Sequence, residues 1–466
     1  MKKLLYILFF FLPVVVSAQF NLYKDSPLDY AWKNVGNAGF SIGQAYQPSL
    51  AISPIEGFPY MGYEDGTYMY KATVMRYDGI NWVNVGNAGF SAGIIYSASL
   101  AFNQAGQPYI LYSDGATYPS EKATVMKFDG TSWINVGEEG FSAGMIHSHS
   151  LAFSPSDGLP YAAYSDATKG GRATVMKFNG TDWVDVGVAG FSDVTAEFIS
   201  LAFCPSDGHP YVAFADFENS FKANVMKFDG VSWVIVGIPN FSQSDVTNTS
   251  LAFCPSDGQP YVAYCDGAYM YKATVMRFDG TDWLNLGNAG FSAGSTASMN
   301  LAFCPSNGQP YVAYNDGMNM NKATVMKFDG TNWLNVGNAG FSAGQVDATN
   351  IAFNQSGQPF VGYQDFGNSN KATVMKYDSV FVGINEQQMS RFSPYPNPAT
   401  DKITIEISEV TEGGNLSIVN IEGQQLITRQ ITEPKSQIDI SNFPSGVYFV
   451  RVTNDRTVQV GKIMKN

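Results

Sequence analysis

Residues Ser250 to Gly287 read SLAFCPSDGQPYVAYCDGAYMYKATVMRFDGTDWLNLG. Four short runs of aliphatic and aromatic residues are separated here by Gly, Pro, Asp and Asn, the pattern of strands joined by tight turns. Strand a is SLAF, and Pro255-Ser256-Asp257-Gly258 turns it into strand b, YVAY at Tyr261 to Tyr264. A variable loop leads to strand c, ATVMRF at Ala273 to Phe278. Asp279-Gly280 then supplies a tight hairpin into strand d, which carries Trp283 and ends at Leu286-Gly287. Strands b and c are apolar on both faces, as expected of sheets buried between two neighbours.

The same text returns around Trp32, Trp82, Trp133, Trp183, Trp233, Trp283 and Trp333, each about fifty residues after the last. A fixed period of this length marks a repeat architecture, and four antiparallel strands per unit make a propeller blade. Strand a begins near Ser49, Ser99, Ser150, Ser200, Ser250, Asn300 and Asn350, which gives seven blades. Strand d is out of phase. Trp32, in WKNVG, precedes the first strand a, whereas the seventh unit ends KATVMKYDSVFVG without a Trp. The expectation is an all-β fold: a seven-bladed propeller over residues 19–383 in which strand 32–36 closes the last blade, since an open ring leaves strand edges unpaired.

Each strand b is followed by an Asp (Asp65, Asp114, Asp166, Asp216, Asp266, Asp316, Asp365), and each strand c is preceded by a cation (Lys71, Lys122, Arg172, Lys222, Lys272, Lys322, Lys371). Their joint recurrence predicts a cross-strand ion pair at the base of each hairpin rather than a ring of metal ligands.

Composition bounds the destination. The chain opens Met-Lys-Lys, runs through LLYILFFFLPVVV and reaches Val16-Ser17-Ala18, the order of a signal peptide over residues 1–18. No other stretch is long and apolar enough to span a membrane, so no transmembrane segment is expected once that peptide is removed. With 40 acidic against 27 basic residues the formal net charge is −13, which excludes nucleic acid as a partner. Cys204, Cys254 and Cys304 occupy one position in successive blades, too far apart to bridge, and Cys265 does not face Cys254 in any hairpin register. Four free thiols are expected, not disulfides. His147 and His149 would point to one side of a strand, as two metal ligands could, but no third ligand is evident. No metal or other cofactor is expected, and no catalytic constellation stands out from the repeats.

After Gly383 the period stops, and a polar connector over 384–393 leads to a different small all-β module over 394–466. YPNPATDKITIEI at Tyr395 to Ile407, LSIVNIEGQQL at Leu416 to Leu426 and PSGVYFVRVTNDRTVQVGKIMKN at Pro444 to Asn466 describe a compact β-sandwich of Ig-like kind. This module resembles the type A C-terminal sorting domain of the type IX secretion system. The resemblance is carried by Pro396, Asn397 and Pro398, by Gly423 in the central Asn-x-x-Gly turn, by Gly446 and Tyr448, and by Lys462 in the terminal basic strand. It implies the outer-membrane translocon as partner and a secreted or surface-anchored protein. The blades resemble bacterial secreted propellers with a D-G-x-x-W turn. Asp279 to Trp283 also resembles a shortened Asp-box of sialidase-type propellers, but the propeller holds only Arg76, Arg172 and Arg277, all at repeat-locked positions, which argues against a sialidase arginine triad.

Copies of the repeat differ most between GFS and strand a, and in the b–c loop, and in a propeller both open at one end. Tyr46, Tyr96, His147, His149, Phe198, Tyr269 and Tyr271 are the candidate ligand-binding residues of that rim, with aromatic rings suited to sugar or peptide. The leading expectation is a non-enzymatic binding or adhesion module for a glycan or a surface protein. The alternatives are a polysaccharide hydrolase or lyase, for which Asp193, Glu197, Asp245 and Asp347 are the carboxylates to test, and a structural surface-layer component.

Overall fold

The computed structural model describes residues 29–380, 394–406, 415–421, 424–430, 433, 435–453 and 458–466. The signal peptide, the connector 384–393 and Gly423 lie outside the described residues. Two compact units are present, Tyr30–Asp378 and a unit holding the C-terminal module.

The first unit is built of seven four-stranded antiparallel sheets. In blade 5, strand a is Val246–Phe253, b is Pro260–Asp266, c is Lys272–Phe278 and d is Trp283–Asn285. The seventh sheet takes its outer strand from the other end of the unit: Asp29–Asn34 pairs with Lys371–Val380. Each blade presents apolar side chains to both neighbours, so strand b is buried along its length, as in Pro260–Asp266. Successive cores therefore run between blades. Tyr211, Ala213 and Val225 of blade 4 meet Val262, Tyr264 and Met276 of blade 5.

Two sevenfold devices hold the ring. Each strand-d Trp donates its indole N–H to a backbone carbonyl of the preceding blade at 2.6 to 2.9 Å, as Trp82 does to Val35 and Trp283 to Val236. Each also stacks on the Phe of that blade's GFS turn (Asn-Phe-Ser at Phe241), with ring centroids 3.7 to 4.5 Å apart. Trp32 completes both series, donating to Val336 at 2.7 Å and stacking on Phe341 at 4.4 Å. Nearer the axis, Ser49 Oγ accepts from the Leu100 backbone N–H at 3.0 Å, and Ser99, Ser150, Ser200, Ser250 and Asn300 repeat this contact toward the next blade. Asn350 bridges back to the Pro48 carbonyl at 2.9 Å.

The expected Asp–cation pairs are not made: no ion pair joins any of these couples among the described residues. The Asp carboxylates are 0 to 3 % exposed and turned into the hairpin. Asp266 accepts from the Ala268 N–H at 3.0 Å through one oxygen and from the Thr274 hydroxyl at 2.8 Å through the other. Backbone amides freed by the turn outcompete a half-exposed lysine, because an unmade bond to a buried amide costs more than a surface ion pair yields. All four cysteines are buried and free.

Strand a also departs from the expectation. It has eight residues, not four, and begins inside the variable segment, as in Ala45–Ile52. One extra residue is inserted in every copy, giving a β-bulge at Gln47, Ser97, Ser148, Phe198, Asn248, Ser298 and Ala348, each with φ between 29° and 56°.

The C-terminal module sets a two-strand sheet, Lys402–Glu406 with Lys435–Asp439, beside a four-strand sheet formed by Gln425–Gln430, Asn415–Asn420, Gly446–Thr453 and Val458–Lys465. Ile403, Ile405, Leu416, Ile418, Tyr448, Val450 and Ile463 form its core.

Candidate functional site

Six of the seven b–c hairpins end in a pair of left-handed residues, blade 2 having Glu121 alone at positive φ. Asp266 caps a single turn of 3-10 helix, Gly267–Tyr269, and the turn ends in two successive left-handed residues, Met270 at φ 57° and Tyr271 at φ 57°. Met69 and Tyr70, Ser220 and Phe221, Met320 and Asn321, and Ser369 and Asn370 repeat the pair. Blade 3 places Gly170 and Gly171 there. The left-handed region suits glycine and strains other L-residues by about 1–2 kcal/mol each. The tips nonetheless project large side chains: Met69 is 70 %, Met270 75 % and Met320 74 % exposed. Tyr68, Tyr70, Tyr118, Phe217, Tyr269 and Tyr271 are exposed around the same end.

The sequence candidates fall into separate clusters at this end. Tyr46 faces Tyr70 with ring centroids 5.5 Å apart and donates its hydroxyl to Gln44. Tyr96 is exposed, and its carbonyl lies 3.4 Å from His149 Nε2. Phe198 occupies the bulge of blade 4, its carbonyl accepting from the Thr249 hydroxyl. Tyr269 sits against Gly290, where an added Cβ would come within 2.6 Å of it. The Tyr271 hydroxyl donates to Asp245 Oδ2 at 2.7 Å, and this bond holds the Asp245 carboxyl below the usual carboxylate range.

His147 and His149 do not share a strand face. The bulge at Ser148 pairs them with Ser165 and Tyr164, adjacent residues whose side chains leave opposite sides of the sheet. His147 is exposed, while the His149 Nδ1 atom is enclosed without a partner and burial pushes the imidazole down to about 4. Among the described residues no group of three or more His, Cys, Asp or Glu is placed to hold a metal ion. The four carboxylates singled out for catalysis are not gathered. Asp193 is exposed ahead of strand a of blade 4 and Glu197 lies on that strand opposite Ala215, whereas Asp245 of blade 5 is engaged by Tyr271 and Ser244, and Asp347 of blade 7 accepts from Ser298 of blade 6.

Three cavities among the described residues open at the other end, beside the a–b and c–d turns, and sequence reading missed them because each is shared by two blades. One, of about 520 Å³, lies between blades 1 and 2 against Tyr60, Arg76, Gln107 and Phe128. Others of about 390 and 470 Å³ lie between blades 3 and 4 and between blades 6 and 7. Burial, then the bond to Glu56, pushes the Tyr60 hydroxyl up to about 12.

In the C-terminal module the sorting residues converge on the terminal strand. Asn397, between Pro396 and Pro398, donates to the Lys462 carbonyl at 2.9 Å and accepts from the Met464 N–H at 2.8 Å, clamping one edge of that strand. Gly446 opens the neighbouring strand, and the Tyr448 hydroxyl donates to the Pro444 carbonyl at 2.7 Å. No helix among the described residues is long and apolar enough to cross a membrane.

Karilysin of Tannerella forsythia is 30 % identical over 88 residues, 16 % of this chain and 19 % of that protein. Ulvan lyase NLR42 of Nonlabens ulvanivorans is 31 % identical over 90 residues, 19 % of this chain and 17 % of that protein. The chain thus covers less than a fifth of the length of either curated relative. Among solved structures it is similar to PorZ, an essential surface component of the type IX secretion system of Porphyromonas gingivalis, at 10 % identity and a TM-score of 0.45 over 91 % of this chain and 59 % of that one. Residues 393–466 match the secretion system C-terminal sorting domain family. The module in which Asn397 clamps the terminal strand is thus a type IX secretion C-terminal sorting domain, and the chain is an exported protein, secreted or held at the cell surface.

Proposed function

We propose that the propeller is a non-enzymatic binding module displayed outside the cell, which takes a macromolecular ligand against the b–c end of the ring. The observation that carries this reading is the row of exposed Met and Tyr side chains held on left-handed hairpin tips. Backbone strain persists where something other than stability retains it, and exposed apolar groups in neighbouring loops are the usual mark of a contact surface. Flexible methionines adapt to an irregular partner, which favours a protein surface over a small molecule. A glycan is the second reading, favoured by the Tyr271–Asp245 pair, which joins a ring face to a carboxylate acceptor.

The sorting module supplies the route to that site. Removing Tyr395 to Asn466 is expected to leave the propeller inside the outer membrane; secretion of the truncated chain at normal yield would contradict the assignment. The rim is tested by Tyr269→Ala with Tyr271→Ala in the full exported chain, scored for adhesion to host and bacterial surface proteins and on a glycan array. Binding should fall at least tenfold with an unchanged melting temperature. Unaltered binding would remove the rim from consideration.

A further inference from the structure

The three inter-blade cavities are one site repeated. In each, a tyrosine near the start of strand b stands directly opposite a cation near the end of strand c: Tyr60 with Arg76, Tyr161 with Lys177, Tyr311 with Lys327. The following blade closes the far wall with the glycine of its a–b turn, an amide or imidazole side chain (Gln107, His209, Gln358) and an aromatic ring (Phe128, Phe228, Tyr377). All three glycines hold a left-handed φ of 71° to 83°, which favours glycine, and a Cβ at Gly106 would also lie 2.7 Å from the Ile55 side chain.

The polar groups are held in place before any ligand arrives. Tyr60 donates to Glu56 at 3.0 Å while Arg76 lies 3.5 Å from the other oxygen of the same carboxylate. Between blades 3 and 4, Tyr161 donates to Asp157 at 3.1 Å and Lys177 stands 3.8 Å from it. Both pairs are about one-third exposed, so they contribute little to folding; the groove between blades 6 and 7 has Asn307 in place of this carboxylate and is lined by Lys327 and Asp378.

We propose that these grooves are saccharide-binding sites, each taking part of a neutral glycan, so that the ring is a multivalent binder at the end opposite the variable rim. Adjacent cation and carboxylate offer a donor and an acceptor to neighbouring hydroxyls, and the aromatic walls suit the C–H faces of a sugar ring. The volumes lie in the range of small-ligand sites. Acidic saccharides are disfavoured: Asp129, Asp185 and Asp378 line the three grooves, and the chain carries a net charge of −13. Several weak sites on one rigid ring combine into tight attachment to a repeating polymer. This inference does not rest on the rim reading.

The test is calorimetric titration of the full exported chain with neutral mannan, galactan and glucan oligosaccharides, and with oligouronate of equal length. Three or more equivalents of one neutral oligosaccharide should bind. Lys177→Ala should remove one equivalent while the remaining sites keep their affinity. The triple variant Arg76→Ala, Lys177→Ala, Lys327→Ala should lose at least a hundredfold in avidity for the immobilised polymer, whereas Tyr269→Ala with Tyr271→Ala should not change it. Binding of a single equivalent, binding of oligouronate alone, no binding of any neutral oligosaccharide, or a triple variant with wild-type avidity would each overturn the proposal.

Discussion

The two ends of the propeller are made from the same fifty-residue unit and treat backbone and side chain in opposite ways. At the a–b and c–d end the chain repeats itself: Asp279 accepts from the Thr281 and Asp282 amides, and Asp129, Asp229 and Asp329 do the same in their own blades. Positive φ falls there on glycines such as Gly258 and Gly280, where it costs little. In the b–c hairpins of the opposite end the same left-handed geometry falls on Met, Tyr, Phe, Ser and Asn, and only blade 3 uses a glycine pair. Stability is concentrated in the repeated contacts, and strain is tolerated where the copies diverge. Substitutions at the two ends should therefore move stability in opposite directions.

The largest effect belongs to the latch. Trp32 is 8 % exposed, stacks on Phe341 and bonds Val336, and it supplies for blade 7 what the other six tryptophans supply for theirs. Trp32→Ala is expected to cost about 3–5 kcal/mol by chemical denaturation, as large-to-small changes at buried aromatics do. A loss under about 1 kcal/mol would show that ring closure does not depend on this strand.

His149 sharpens the comparison from the inner strand of the varied end. Its imidazole has an ordinary value of 6.5 and is pushed down to about 4 by burial, so the unfolded chain binds the extra proton across that interval. Stability from keeping the ring neutral is fully present above pH 6.5 and is lost as pH falls toward 4, by up to about 3 kcal/mol at one proton. His149→Met should flatten this segment of the stability profile between pH 6.5 and 4. An unchanged slope in the variant would place the responsible group elsewhere.

Blade number, strand order and the out-of-phase closure were legible because each rests on a period that one sequence displays seven times. The bulges were not. Strand a was read from Ser49 onward because Gln47-Pro48 and Phe198-Ile199 carry no common pattern, although the buried residues just upstream, Ala45, Ile95, Ile146, Ala196 and Val246, are apolar in every one of these copies. That column was the available signal, and missing it put His147 and His149 on one face. The Asp of each b–c hairpin was seen, but its partner was sought in a side chain when the turn's own amides were nearer. The grooves were invisible for another reason: Tyr60 and Arg76 are sixteen residues apart, and Phe128 comes from a different blade. Repetition read along the chain as scaffold becomes, across a blade interface, a repeated concavity.

The smallest expected effect is a gain. Met270 ends its 3-10 turn at φ 57° with its side chain 75 % exposed, and Gly170 occupies the matching place in blade 3. Met270→Gly relieves the left-handed penalty and removes almost no buried surface. The folded state should therefore gain about 1 kcal/mol, even though glycine also loosens the unfolded chain. Met69 and Met320 stand at the same point of separate hairpins, so the triple change should add nearly independently, to about 2–3 kcal/mol. Melting temperature should rise while adhesion through the rim falls, the signature of side chains retained for contact and not for folding. A triple variant that melts lower than the parent would show that these methionines support the hairpins, and the contrast between the two ends would then fail.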